Sequence, residues 1–188
     1  MTRFRARHLA AVVGAAALVA VSALPAGAKT STPEKWGAAF CGGLSEWSDT
    51  ITTGASDISA SVAGGTTPDA GKAIIVGFIG DIGDATSDFY TAVKKAGTPD
   101  TTNGSKIRKE ILKGISGIES RVGDMADLAE GLPTTDVTSF QTSVQALSSA
   151  FDTVSTPFDS AMTKVASLDK GDGLSDALQD VKECKALF

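Results

Sequence analysis

Six basic side chains crowd one short stretch of the chain. Lys94 and Lys95 close one helix-like segment, and Lys106, Arg108, Lys109 and Lys113 open the next. Clustered cations suit an anionic ligand. The lysines complement the dipole of the helix they end, whereas the bases that begin the following helix oppose its dipole. Basal acids such as Asp100 and Glu110 are one source of compensation, and an external anion is the other. Trp36, Phe40, Phe89, Tyr90, Phe158 and Phe188 fall at the same end of their segments. Aromatic rings beside a basic rim line a pocket for an amphiphilic anion, or they fill a core. The candidate binding set is therefore Lys94, Lys95, Lys106, Arg108, Lys109, Trp36, Phe89 and Tyr90. The competing reading is a solvated surface over an ordinary core.

Other constellations are poorer in chemistry. Asp81, Asp84 and Asp88 make an acidic ridge at helical spacing, but no base accompanies them. The run Asp169-Lys170-Gly171-Asp172-Gly173 resembles a calcium loop only faintly. Glycines stand where oxygen ligands are needed, and no glutamate occupies the twelfth position. Asn103-Gly104-Ser105 fits a glycosylation sequon and fits a helix-start turn better. Metal ligands and catalytic residues are not expected, nor a cofactor. Cys41 and Cys184 are the two cysteines. A lipid anchor on Cys41 would need a small residue before it, and Phe40 stands there. An even pair in an exported chain reads as one disulfide.

Export is read from the first 28 residues. Arg3, Arg5 and Arg7 precede an apolar run over residues 9–24, and Ala26-Gly27-Ala28 is a small-x-small cleavage site. No Arg-Arg pair points to the twin-arginine route. Residues 1–28 are thus expected to be a signal peptide, and residues 29–188 a single domain. The signal holds the only histidine, His8, so the mature chain has no Ser-His-Asp triad, HExxH or histidine-liganded metal. Losing three arginines leaves 14 basic against 22 acidic residues, a net charge of −8. That balance argues against nucleic acid. The longest apolar stretch after the signal, residues 73–80, falls far short of the ~20 residues a transmembrane helix needs.

The elements that carry these residues are helical by periodicity. Thr32-Pro33-Glu34 and Thr67-Pro68-Asp69 each start a helix, with threonine as N-cap and proline in the first turn. The first stripe runs Trp36, Phe40, Leu44, Trp47, Ile51, Ala55, Ile58, Val62; the second runs Ile75, Phe78, Ile82, Ala85, Phe89, Ala92, Ala96. Gly97 caps the second. A third helix begins near Asn103, carries Ile107, Ile111, Ile115, Ile118, Val122 and Met125, and stops at Gly131. A fourth runs from Val137 to Leu168 on an unbroken 3.5-residue seam, with a kink at Pro157. A short fifth carries Leu174, Leu178, Val181 and Cys184. Short connectors make neighbours antiparallel, giving an all-α, up-down-up-down four-helix bundle whose fifth helix a disulfide staples to the first. Call the end where the first helix begins the base. The upper halves of the four helices then hold ten acids and two bases, Lys72 and Arg121. Glycines inside the second and third helices (Gly77, Gly80, Gly83, Gly114, Gly117, Gly123) mark close helix approach or a face that opens.

The Ala-Gly-Ala signal, the pattern Trp36-(x)3-Phe40-Cys41-(x)2-Leu44-(x)2-Trp47 and the late Cys184 resemble small secreted all-helical actinobacterial proteins. That resemblance implies a bundle in the envelope or outside the cell and assigns no catalytic residue. The expected function is a non-enzymatic secreted or cell-envelope binding module. Its partner is an unknown protein or envelope component, with an anionic amphiphile or envelope polymer as the ligand class. The alternative is a lipid-surface protein whose amphipathic helices open.

Overall fold

The computed structural model describes residues 29–63 and 65–185. The proposed signal peptide, Gly64 and Phe188 lie outside them. About 80% of the described residues are helical. The elements are β1 (Thr30–Ser31), α1 (Pro33–Ala63), α2 (Pro68–Ala96), β2 (Thr98–Pro99), α3 (Gly104–Glu130), α4 (Val137–Phe151), α5 (Thr156–Leu168), α6 (Leu174–Asp180) and α7 (Lys182–Lys185).

Local chemistry sets the helix ends. The backbone N–H of Lys35 reaches Thr32 Oγ1 at 3.4 Å, and that of Ala70 reaches Thr67 Oγ1 at 3.4 Å. Gly97 ends α2 at φ +84°, a conformation that favours glycine, and a side chain there would strike the Lys29 carbonyl. Gly131 ends α3 without a left-handed turn, at φ −77°. Lys72 of α2 instead donates to the carbonyl of Glu130, which ends α3, and to that of Leu132 just beyond it.

α2 packs against α1 and α3, α3 packs against α5 and α4, and α6 and α7 lie on α1. Just before α1, β1 pairs in parallel with β2, Thr30 opposite Thr98 and Ser31 opposite Pro99. Two residues cannot show alternation, so this bridge has no sequence signature. It brings the start of α1 to the end of α2. Trp36, Phe40, Phe89 and Phe158 meet there in one aromatic cluster, with centroids 5.2–6.4 Å apart along its contacts. All four are buried. Packing thins toward the opposite end, where Ile51 and Ile58 of α1 are half-buried and Ala55 is exposed.

The expected single kinked helix over 137–168 is two helices. Between them the N–H groups of Thr153, Val154 and Thr156 bond three residues back, so the α-helical ladder is interrupted through residues 152–155. The apolar phase nevertheless persists, because Val154, Phe158, Ala161 and Val165 are all buried. Gly114 and Gly117 let α5 approach α3. A Cβ on Gly114 would lie 2.7 Å from Ala161 Cβ, and one on Gly117 2.5 Å from Pro157 Cβ. The expected fifth helix is also divided, by an extended Val181. Its staple is present: Cys41 and Cys184 are bonded, with Cα atoms 5.0 Å apart. No helix among the described residues is long and apolar enough to cross a membrane.

Candidate functional site

Three of the basal cations, Arg108, Lys94 and Lys106, find partners within the fold. Arg108 is half-buried and its guanidinium donates to the Lys94 carbonyl at 3.4 Å. It therefore complements the electronegative end of α2, which explains a base in the second turn of α3. Lys94 lies over the Tyr90 ring, 5.7 Å from its centroid. Lys106 reaches Asn103 Oδ1 at 3.5 Å. Lys95 and Lys109 are exposed.

The N-terminus of α3 receives its anion from the chain itself. Asp172 accepts from the backbone N–H of Thr102 at 2.9 Å and of Asn103 at 2.8 Å. The Asn103 bond, the largest influence, holds the Asp172 carboxyl below its ordinary range. Of the two acids expected to compensate the basal bases, Glu110 pairs with Lys164 at 3.5 Å, and Asp100 is exposed. Asp169, the other acid of the calcium-like run, accepts from Leu174 N–H at 2.9 Å and Ser175 N–H at 2.8 Å. Both aspartates are caps for helix ends.

The aromatic part of the predicted site needs correction. Trp36 is 0% and Phe89 1% exposed, so neither ring offers a surface to a ligand beneath the cations. Trp36 stacks on Phe40 and Phe89 packs against Phe40 and Phe158. Large apolar rings at 3.6-residue spacing fill the core wherever facing helices can enclose them. Tyr90 alone of the three is half-buried.

An apolar groove lies elsewhere, between α5 and the α6–α7 pair, with a volume of about 560 Å³. Met162, Val165, Ala166, Leu174, Leu178 and Cys184 form its walls, and Asp169, Ser175, Gln179 and Lys185 its polar border. The disulfide positions it by fixing α7 to α1 while α5 packs on α3. Asp169 already spends both carboxylate oxygens on backbone amides. Lys185 is exposed and makes no ion pair among the described residues. The groove is thus an apolar trough bordered by the exposed Lys185 ammonium and the amide-bound Asp169 carboxylate. Sequence reading missed it because its walls come from three short elements, and Lys185 lies away from the basic cluster. The acidic ridge of Asp81, Asp84 and Asp88 borders a polar furrow with Glu46 and Asp57 of α1. No cluster able to hold a metal occurs among the described residues.

No protein-family model, curated protein or solved structure matches the chain.

Proposed function

We propose that the protein is a non-enzymatic module, secreted or held in the cell envelope, that binds an anionic amphiphile in the groove between α5, α6 and α7. The observation that carries this reading is the groove itself. Its volume of about 560 Å³ is within the usual range for small-molecule sites, its walls are apolar, and Lys185 at its border makes no ion pair among the described residues. A single hydrocarbon chain buries its surface against Met162, Val165, Leu174 and Leu178 while its head meets the ammonium group. The hydrophobic term supplies affinity and the ion pair supplies orientation. Secretion is supported by the sequence of residues 1–28 and by a disulfide, which persists in oxidising compartments.

The helical framework we read as up-down-up-down, with α4 and α5 together as the fourth member. Pairing of β1 with β2 supports it, as do the bonds from Lys72 to the end of α3 and from Asn103 N–H to Asp172. The proposal moves the ligand away from Trp36 and Phe89 but keeps the anionic class.

Native mass spectrometry of the protein purified from its own culture tests this. A non-covalent adduct that organic extraction removes and identifies as an anionic amphiphile is expected. Ala166 is exposed at the groove wall, so Ala166→Trp fills the trough and leaves the core alone. Absence of the adduct from that variant is expected. A bare mass for the wild type, or an adduct retained by Ala166→Trp, overturns the assignment.

A further inference from the structure

The apolar trough between α5, α6 and α7 adjoins a second, polar cavity of about 410 Å³. The two share Ala166, Asp169 and Ser175 in their walls, and Lys170, Gly171, Gly173 and Asp176 complete the second. This alcove is formed where α5 passes into α6, and the chain holds that connection from both sides. Asp169 accepts from the N–H groups of Leu174 and Ser175, and Asp172 from those of Thr102 and Asn103. Asn103 Nδ2 donates to the Leu168 carbonyl that ends α5. α6 leads away from the alcove. After the extended Val181, α7 ends at Lys185, next to the Cys184 that is bonded to Cys41 of α1. The trough therefore has two polar borders, the alcove at the start of α6 and Lys185 at the end of α7.

The two borders differ in charge. The alcove holds one base, Lys170, against two acids, Asp169 and Asp176. An anionic group meets more repulsion there than at Lys185, so the anion belongs at Lys185 and the far end of its chain faces the alcove. What the alcove presents to that end is polar. The side chains of Lys170, Ser175 and Asp176 are exposed and make no hydrogen bond or ion pair among the described residues. Gly171 and Gly173 leave their backbone open, since a Cβ on either would meet nothing within 4 Å. A free ammonium, a free carboxylate and a free hydroxyl together suit a group that both donates and accepts, which a hydroxyl does and a terminal methyl does not.

We infer that the ligand of the groove is polar at both ends: a single-chain amphiphile with its anionic group at Lys185 and a hydroxyl at the opposite end of the chain, in the alcove. The inference rests on the reading of the groove as an amphiphile site and adds a second polar subsite to it. The sign of one effect separates the two. In a trough closed by apolar walls, a hydroxyl at the chain end gives up its bonds to water and weakens binding. In the alcove it accepts from Lys170 and donates to Asp176 or Ser175, and binding strengthens.

The test is calorimetric titration of the oxidised protein with decanoate, dodecanoate, tetradecanoate and hexadecanoate, each beside its ω-hydroxy counterpart, below micelle formation. The readout is the affinity ratio of hydroxylated to plain acid. At one chain length the hydroxylated acid is expected to bind about three- to tenfold tighter, the weight of one hydrogen bond, and the gain falls away at shorter and longer chains because both ends are fixed. Lys170→Ala/Asp176→Ala lies outside the trough walls and is expected to bring the ratio to one or below while plain acids bind as before. Ser175→Ala, a milder change, is expected to reduce it in part. A wild type that binds plain acids as well as or better than hydroxylated ones at every length overturns the inference and leaves the amphiphile groove standing. A ratio that Lys170→Ala/Asp176→Ala and Ser175→Ala both retain places the hydroxyl in open solvent and overturns it too. Binding of neither series overturns the groove reading and the inference together.

Discussion

Substituting glycine by alanine inside a helix has opposite signs at different positions of this fold. A Cβ on Gly114 meets Ala161 Cβ at 2.7 Å, Phe158 Cα at 3.2 Å and the Pro157 carbonyl oxygen at 3.4 Å. Two of these atoms are backbone and the third is a Cβ, so no flexible side chain can swing aside. Overpacking of this kind costs about 1–3 kcal/mol. Alanine's better helix propensity returns about 0.5–1 kcal/mol. Gly114→Ala is therefore expected to lose up to about 2.5 kcal/mol, lowering Tm by up to about 10 °C for a domain of this size. At Gly80 and Gly123 a new Cβ meets nothing within 4 Å. Alanine there is expected to add about 0.5–1 kcal/mol at each position. Urea unfolding of the oxidised proteins, followed by circular dichroism, measures all three. Equal stabilisation by Gly114→Ala and Gly80→Ala would refute the close approach of α5 to α3, and with it the continuity of the seam past Pro157.

Two further outcomes follow from the covalent and ionic ties. Cys184→Ser opens a loop with a sequence separation of 143. On the chain-entropy account this removes up to about 5 kcal/mol, and a Tm within 2 °C of wild type, by the ~2–4 °C per kcal/mol scale, contradicts the staple. Asp172 has a carboxyl held below its ordinary 3.8 by the amide bonds at the start of α3. A lowered folded pKa adds stability that is complete above 3.8 and lost as pH falls through the folded value. The stability gap between wild type and Asp172→Ala is thus expected to be full at neutral pH and to close in acid. A gap independent of pH from neutral down to strong acid would show that the charge on Asp172 is immaterial.

Much of the fold is legible in the order of residues because the governing forces are local or periodic. Thr32 and Thr67 announce helix starts, Gly97 a helix end, and the isoleucines of α3 a buried face. The cysteine pairing follows from there being two cysteines in a chain whose first 28 residues read as a secretory leader. What escaped reading depends on three-dimensional juxtaposition. Arg108 looked misplaced against the dipole of its own helix, since nothing in sequence shows that the end of α2 lies beside it. Asp172 belongs to a loop 70 residues from the amide of Thr102 that it caps. The seam of α4 and α5 is periodic throughout, yet period alone does not reveal that residues 152–155 leave the α-helical ladder. Nor does it reveal that the α4 half of the seam packs less tightly than the α5 half, with Phe140, Val144 and Phe151 half-buried. The groove was invisible for a related reason: a cavity is defined by what fails to meet, and apolar spacing records only what each helix can bury.

The central claim is that an anionic amphiphile occupies the groove between α5, α6 and α7. Methyl-resolved NMR of the labelled protein, titrated with dodecanoate, tests it most directly. Chemical-shift changes are predicted at the methyls of Met162, Val165, Leu174 and Leu178, saturating with ligand, and Lys185→Gln is predicted to weaken them. Changes confined to other methyls, or none at concentrations below micelle formation, would contradict it.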